Sequence, residues 1–236
     1  MNENREILVF PREYIEGYKG LVSFQKMPSR EQVCLMQAIE VNRKWLLRDQ
    51  AEMSVEWVQA IPCTLILNTA RQYCVLRRVS TGREDLRARL TLTFGGHVDH
   101  VPNDNSMSLA SVLKATLLRE LQEELGVEHN SVVEMKQIGL VIDAASIMRS
   151  RHIAFLYETV VNQQGIKPKA REEFKSDGKL KLDGRFFSPA KLVSLQTEFD
   201  HWSTIVFEDY LVYAHSLERQ FPLFPYWDSD KVNEPN

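Results

Sequence analysis

The stretch RELQEELGV, residues 119–127, places three glutamates within five positions and then reaches a glycine. Residues 108–125 predict a helix, because apolar side chains recur at helical spacing. The predicted buried stripe consists of Leu109, Val112, Leu113, Leu117, Leu121 and Leu125. Gly126 follows at the position where helices commonly end in a left-handed residue. Glu120, Glu123 and Glu124 stand at i, i+3 and i+4, so we expect their side chains on one side of this helix.

These carboxylates repel one another, and two of them lie in the last helical turn, where the helix macrodipole favours cations. The arrangement costs about 1 kcal/mol unless a positive charge offsets it. Carboxylate oxygens are the ligands that Mg²⁺ and Mn²⁺ prefer. The sequence therefore indicates a cation site. The alternative is an ordinary charged helix end, in which Arg119 pairs with Glu123 at i,i+4.

A glycine motif, FGGHVD at residues 94–99, ends a predicted strand that begins with LTLT. Two adjacent glycines permit close backbone approach and unusual dihedral angles. A strand, a glycine loop and a glutamate-bearing helix form an arrangement suited to a metal ion and phosphate.

Together the two motifs resemble the box of the Nudix hydrolase family, G-x5-E-x7-R-E-U-x-E-E-x-G-U, where U is aliphatic. Residues 119–127 match its second half at every position, and Gly95 and Gly96 match its opening. The resemblance implies an α+β fold, a Nudix-type α/β/α sandwich with a mixed β-sheet. We expect an N-terminal helical extension at residues 1–58, packed on the core, and a Nudix hydrolase domain at residues 59–236.

The first half of the box departs from the family pattern. Gly96 and Arg119 are 23 positions apart rather than 14, which implies an insertion of nine residues. The box glutamate is missing, because Ser111 or Pro102 stands at its position, depending on the direction of counting. Asp99 or Asp104 could supply a carboxylate, although a polar surface loop also explains this segment.

The resemblance further implies hydrolysis of a phosphoanhydride bond in a nucleoside diphosphate-linked substrate, with Mg²⁺ or Mn²⁺ as cofactor. Such cations offset charge on the phosphates and lower the pKa of bound water. Arg119 would fix a carboxylate, and Glu120 would be either a metal ligand or a helper that orients water. The implied metal ligands are Gly95 or Gly96, through a backbone carbonyl, and Glu120, Glu123 and Glu124.

The other site residues are weaker predictions. Glu173, in a polar segment with Glu172, is a candidate general base, although a solvated charged loop also explains that segment. Guanidinium groups suit phosphate oxygens, so we assign substrate binding to Arg77, Arg78 and Arg87, together with Phe94. Two histidines, His97 and His100, flank Asp99 and suggest a metal site, but isolated loop histidines are more often surface residues.

Composition excludes little. The net charge of -3 and the pI near 6.1 give no overall attraction to nucleic acid or an anionic membrane. The N-terminus lacks a long apolar segment, and no stretch approaches the roughly 18 apolar residues that span a bilayer. Three cysteines without ligand spacing fit a reducing compartment. We expect a cytoplasmic protein that binds a small nucleotide, without a membrane or nucleic-acid partner.

Further elements follow from local pattern. They are a helix at 31–52, two strands from residue 61 joined by a turn at 68–72, strands at 132–143, 152–161 and 185–187, and a helix at 199–217.

Two alternatives to the enzyme stay open. A Nudix-like module could bind a nucleotide without turning it over, as the missing box glutamate and the inserted loop suggest; the intact glutamates argue against it. Residues 1–58 could instead carry the function, as a regulatory segment, a lid or the interface of a homodimer.

Overall fold

The computed structural model describes residues 5–78, 89–101, 106–146, 149–163, 166–169 and 185–212. Ten strands and five α-helices lie in these ranges. The strands are β1 (Glu6–Pro11), β2 (Gly20–Ser23), β3 (Lys44–Leu47), β4 (Trp57–Asn68), β5 (Tyr73–Arg77), β6 (Leu90–Thr91), β7 (Thr93–Gly95), β8 (Val132–Ile142), β9 (His152–Val161) and β10 (Arg185–Phe187). The helices are α1 (Ser29–Asn42), α2 (Arg48–Met53), α3 (Leu109–Leu125), α4 (Pro189–Val193) and α5 (His201–Val206). The sheet is mixed, as predicted.

The chain forms two compact units, each built from three separate stretches. The first contains Met1–Thr64, Phe94–Gln122 and Lys136–Tyr157, and the second contains Leu65–Thr93, Glu123–Met135 and Glu158–Asn236. Consequently β4, β8, β9 and α3 each contribute residues to both units. The predicted domain boundary at residue 58 stays a prediction.

In the first unit, β9 lies between β4 and β8, and β2 pairs with β8. Strand β1 pairs antiparallel with β3 and with the start of β4. It also contacts the segment after the two glycines: Leu8 N–H donates to the Val98 carbonyl at 3.0 Å, and His100 N–H donates to the Glu6 carbonyl at 2.9 Å. Residues 1–58, which the sequence predicts to be a helical extension, contain the three strands β1–β3 as well as the helices α1 and α2.

In the second unit, β5 pairs with β4 and β10, and β6 pairs with β5. The predicted turn at 68–72 connects β4 to β5. It is closed by Arg71 in a left-handed conformation and by Asn68 N–H, which donates to the Gln72 carbonyl at 3.0 Å. Asp200 caps α5 by accepting from Ser203 N–H at 2.9 Å. This cap explains why the helix begins at residue 201.

Helix α3 confirms the strongest local prediction. All six stripe leucines and valines are at most 3% exposed, and Gly126 follows with φ +66°. The strands predicted at 132–143, 152–161 and 185–187 correspond to β8, β9 and β10.

Three predicted elements differ from the structure. The helix predicted at 31–52 is divided into α1, β3 and α2, because Arg43 is extended and β3 pairs with β1. The strand predicted through the glycines is divided into β6 and β7. Of the helix predicted at 199–217, the structure shows α5, continued by a π-helical turn over Phe207–Leu211; the positions after 212 lie outside the described residues.

Among the described residues, no helix is long and apolar enough to cross a membrane.

Candidate functional site

Gly95 ends β7 with its backbone against β4. A Cβ atom on this residue would lie 2.0 Å from the Pro62 carbonyl oxygen, and its φ is +156°. Backbone atoms cannot move aside cheaply, so this position requires glycine.

Gly96 leaves room for a carboxylate. A Cβ atom there would lie 2.6 Å from Cδ of Glu120 and 2.7 Å from its Oε2. The Glu120 side chain is only 12% exposed. The first glutamate of the box therefore packs directly on the glycine loop.

Arg119 forms an ion pair with Glu120. Its Nη2 lies 2.7 Å from Glu120 Oε1 and 3.8 Å from Asp99 Oδ2. Asp99 in turn accepts a hydrogen bond from Arg5 Nη1 at 2.9 Å. Asp99, considered above as a substitute for the missing box glutamate, thus reaches the box arginine, whereas Asp104 lies outside the described residues.

Glu123 and Glu124 occupy the last turn of α3, in the stretch that belongs to the second unit. Glu123 is exposed and Glu124 is half-buried. The Glu124 carbonyl accepts a hydrogen bond from Lys169 N–H at 2.6 Å, which helps to terminate the helix before Gly126. Their assignment as metal ligands stays a prediction.

The predicted substrate arginines have acidic partners. Arg77 Nη2 lies 2.5 Å from Glu198 Oε2, and Arg78 Nε lies 3.6 Å from Asp200 Oδ2. Phe94 is 1% exposed and packs in the core. The assignment of all three to substrate binding stays a prediction. Two further predicted site residues, Arg87 and Glu173, lie outside the described residues.

One solved structure settles the fold. Tm1382, a proposed Nudix hydrolase, matches with a TM-score of 0.63 at 18% sequence identity, over 88% of this chain and 99% of Tm1382. This chain has the Nudix fold. Protein YmaB of Bacillus subtilis (strain 168) is 27% identical over 202 residues, which cover 85% of this chain and 94% of YmaB. No family model matches.

The Nudix fold here also holds a cluster that the sequence did not predict. One donor atom each from Glu52, His97 and His152 lies within 4.8 Å of the other two. All three residues are half-buried and belong to the first unit. Of the three residues, the sequence suggests only His97 as a metal ligand, and a surface position is the more common one for such a loop histidine. Its partners come from α2 and β9, far away in the sequence.

The charge states in this cluster are set by burial and by contacts. Burial, reinforced by the positive charge of Arg48, lowers the pKa of His97 to about 3, so its imidazole is neutral at pH 7. The contact with the His152 imidazole is the main cause that lowers the pKa of Glu52 to about 2. The neutral His97 ring and the His152 ring therefore both lie close to one carboxylate.

Proposed function

We propose that this protein is a Mg²⁺- or Mn²⁺-dependent hydrolase that cleaves a phosphoanhydride bond in a nucleoside diphosphate-linked substrate. The observation that carries the proposal is the position of Glu120, the first glutamate of an intact REUxEExGU helix, on the backbone of Gly96. This arrangement lies within a Nudix fold. The fold alone would not specify chemistry, so the proposal depends on these residues.

The residues fit a hard divalent cation. Glu120 lies one helical turn before the adjacent Glu123 and Glu124 on α3. Gly96 lacks a side chain at the point where one would displace Glu120. Glu120, Glu123 and Glu124 would hold the cation, with a backbone carbonyl of Gly95 or Gly96. A bound cation would offset negative charge on the phosphates as the bond breaks.

The chain itself would supply orientation. Arg119 holds one carboxylate oxygen of Glu120, and Asp99 lies beside Arg119, where it offsets part of its positive charge. We assign Asp99 as a positioning residue, because it acts on Glu120 through Arg119. This assignment gives the chain a carboxylate in the supporting role of the missing box glutamate.

Two further roles belong to the proposal. Arg77 and Arg78 would bind phosphate oxygens, which requires each guanidinium to exchange or share its carboxylate partner. Glu173 would accept the proton of the attacking water as general base.

The test is a product analysis. The purified full chain is incubated with Mg²⁺ or Mn²⁺ and with nucleoside triphosphates, ADP-ribose, NADH, nucleotide sugars and dinucleoside polyphosphates. Mass spectrometry of the products then identifies the cleaved bond. A Glu123→Gln/Glu124→Gln variant tests the carboxylates, and Glu208→Gln, which changes an exposed helical carboxylate elsewhere, is the matched control.

We expect metal-dependent hydrolysis of at least one substrate class, abolished in the double variant and retained in Glu208→Gln. Hydrolysis that survives in the folded double variant would contradict the assignment of the ligands. Tight nucleotide binding without product across the panel would indicate that the protein is a nucleotide-binding module and not an enzyme.

A further inference from the structure

We propose that Glu52, His97 and His152 form a binding site for one divalent transition-metal ion of the Zn²⁺ class, separate from the carboxylates of α3. Two imidazoles and one carboxylate are a donor set suited to Zn²⁺ and neighbouring metals, whereas Mg²⁺ prefers oxygen donors alone. The two sets of ligands would therefore select different metals.

The spacing of the donors suits such an ion. In a tetrahedral zinc site with bonds of about 2.0–2.1 Å, neighbouring donor atoms lie about 3.4 Å apart. His152 Nε2 and Glu52 Oε1 are already 3.7 Å apart, and all three donors lie within 4.8 Å. The His97 and His152 rings meet edge to face, with centroids 5.7 Å apart. Small rotations of the side chains would thus complete three protein ligands and leave a fourth position for water.

Residues around the cluster orient these ligands. The Gln59 side chain is fully buried, and its Oε1 lies 2.9 Å from His97 Nε2, which fixes the ring. Such outer contacts are typical of metal-binding histidines. Two buried nitrogens nearby, Gln59 Nε2 and His152 Nδ1, have no hydrogen-bond partner among the described residues. The described residues therefore leave part of the hydrogen-bonding capacity of this cluster unused.

Two arginines limit the affinity. Arg48 Nε lies 3.7 Å from Glu52 Oε1, so it competes with a cation for that oxygen. Arg151 Nη1 donates to the backbone carbonyl of Glu52 and adds positive charge nearby. We expect Arg48→Gln to bind Zn²⁺ more tightly than the unchanged chain, by about tenfold, because it frees the carboxylate.

A metal ion here would connect three segments of the first unit. Glu52 belongs to α2, His97 follows the two glycines, and His152 begins β9. Adjacent residues of the loop thus serve different partners: Gly96 contacts Glu120, and His97 contacts Gln59. A bound metal ion would stabilise the conformation of this loop, and this effect does not depend on enzymatic turnover.

The test is titration of the metal-stripped full chain with Zn²⁺ by calorimetry, in the presence of excess Mg²⁺. We expect one equivalent of Zn²⁺ to bind, and a thermal midpoint raised by about 5–10 °C at a hundredfold excess over the Kd. His97→Gln, His152→Gln and Glu52→Gln should each weaken binding at least about 100-fold, and Gln59→Leu about 10- to 100-fold. His100→Gln, which changes a histidine three residues from His97, should leave the affinity unchanged.

Two further measurements separate this site from the proposed catalytic one. Zn²⁺ should still bind the Glu123→Gln/Glu124→Gln variant with one equivalent, whether or not that variant hydrolyses any substrate. If a histidine variant fails to fold, proton NMR of the unchanged chain replaces it: two of the six histidine ring signals should shift or broaden on addition of Zn²⁺. The absence of binding, binding lost in the α3 variant, or full affinity in folded His97→Gln would overturn the proposal.

Discussion

The two glycines before the box helix exclude side chains for different physical reasons. At Gly95 an added methyl group meets the backbone of β4, at 2.0 Å from the Pro62 carbonyl oxygen. At Gly96 it meets the end of the Glu120 side chain, which can rotate away. The fold therefore requires glycine at position 95, and the placement of the Glu120 carboxylate requires glycine at position 96.

Substitution of each glycine by alanine should separate these effects. We expect Gly95→Ala to lower the free energy of unfolding by more than about 3 kcal/mol, because backbone overlap and strain add. Gly96→Ala should remain folded, with a cost below about 1.5 kcal/mol, but should lose at least tenfold in kcat as Glu120 is displaced. Chemical denaturation and steady-state kinetics check the pair. Full activity of Gly96→Ala would show that Glu120 need not occupy its observed position.

Asp99→Asn tests the proposed support of Arg119. Its partners Arg5 and Arg119 are 55% and 37% exposed, so removal of the charge should change stability by less than about 1 kcal/mol. We expect kcat to fall about tenfold and the Mg²⁺ concentration for half-maximal rate to rise, with KM for the nucleotide little changed. Arg5→Gln, which leaves Asp99 beside Arg119, serves as the comparison and should have the smaller effect. Unchanged metal dependence in Asp99→Asn would contradict the positioning role.

At the scale of elements, α1 fixes the start of α3. Leu109 N–H donates to Glu40 Oε2 at 2.6 Å, and Arg43 Nη2 donates to the Met107 carbonyl at 2.5 Å. The first N–H groups of a helix lack partners within the helix. A glutamate from a helix far upstream therefore caps the helix that carries the box.

Removal of this cap should destabilise the protein measurably. We expect Glu40→Ala to cost about 1–2 kcal/mol, because the N–H of Leu109 loses its acceptor. For a chain of this size, that corresponds to a fall of about 2–8 °C in the thermal midpoint. Gln37→Ala, an exposed position on the same helix, should change stability by less than about 0.5 kcal/mol. Equal midpoints for the two variants would mean that the contact contributes no stability.

At the scale of the molecule, residues 1–58 form part of the first unit. Ile7, Leu8, Val9 and Phe10 are each at most 1% exposed, and Phe10 meets Phe155 edge to face at 5.9 Å. Burial of four such side chains contributes about 6–12 kcal/mol. This is comparable to the whole stability of a typical domain, about 5–15 kcal/mol.

We therefore expect deletion of residues 1–58 to abolish cooperative unfolding rather than to yield a folded, unregulated enzyme. The single substitution Phe10→Ala tests the same packing and should lower the free energy of unfolding by about 3–5 kcal/mol. Val33→Ala, at a position that is 52% exposed, is the control and should be nearly neutral. Circular dichroism and thermal melting measure all three. If the deletion variant is folded and active, residues 1–58 are a separate extension, as the sequence predicts.

What the sequence could predict follows from the range of the interactions. Helix α3 and Gly126 depend on local periodicity and local backbone preference, which a sequence shows directly. The intact half of the box indicated the fold. The break of the predicted helix at Arg43 depends on pairing of β3 with β1, which periodicity cannot reveal. The cluster of Glu52, His97 and His152 depends on three distant segments, so no spacing rule could identify it.

The division into interleaved units has a consequence for synthesis on the ribosome. The first unit needs residues up to Tyr157, and the second needs stretches on both sides of it. At about 5–20 residues per second, translation from Thr64 to Tyr157 takes about 5–20 s. During this interval β1 and the first part of β4 already exist without their later partners in the loop after Gly96 and in β9. Nascent chains of this protein should therefore depend on chaperones until most of the sequence has emerged, and their yield should respond to the supply of chaperones.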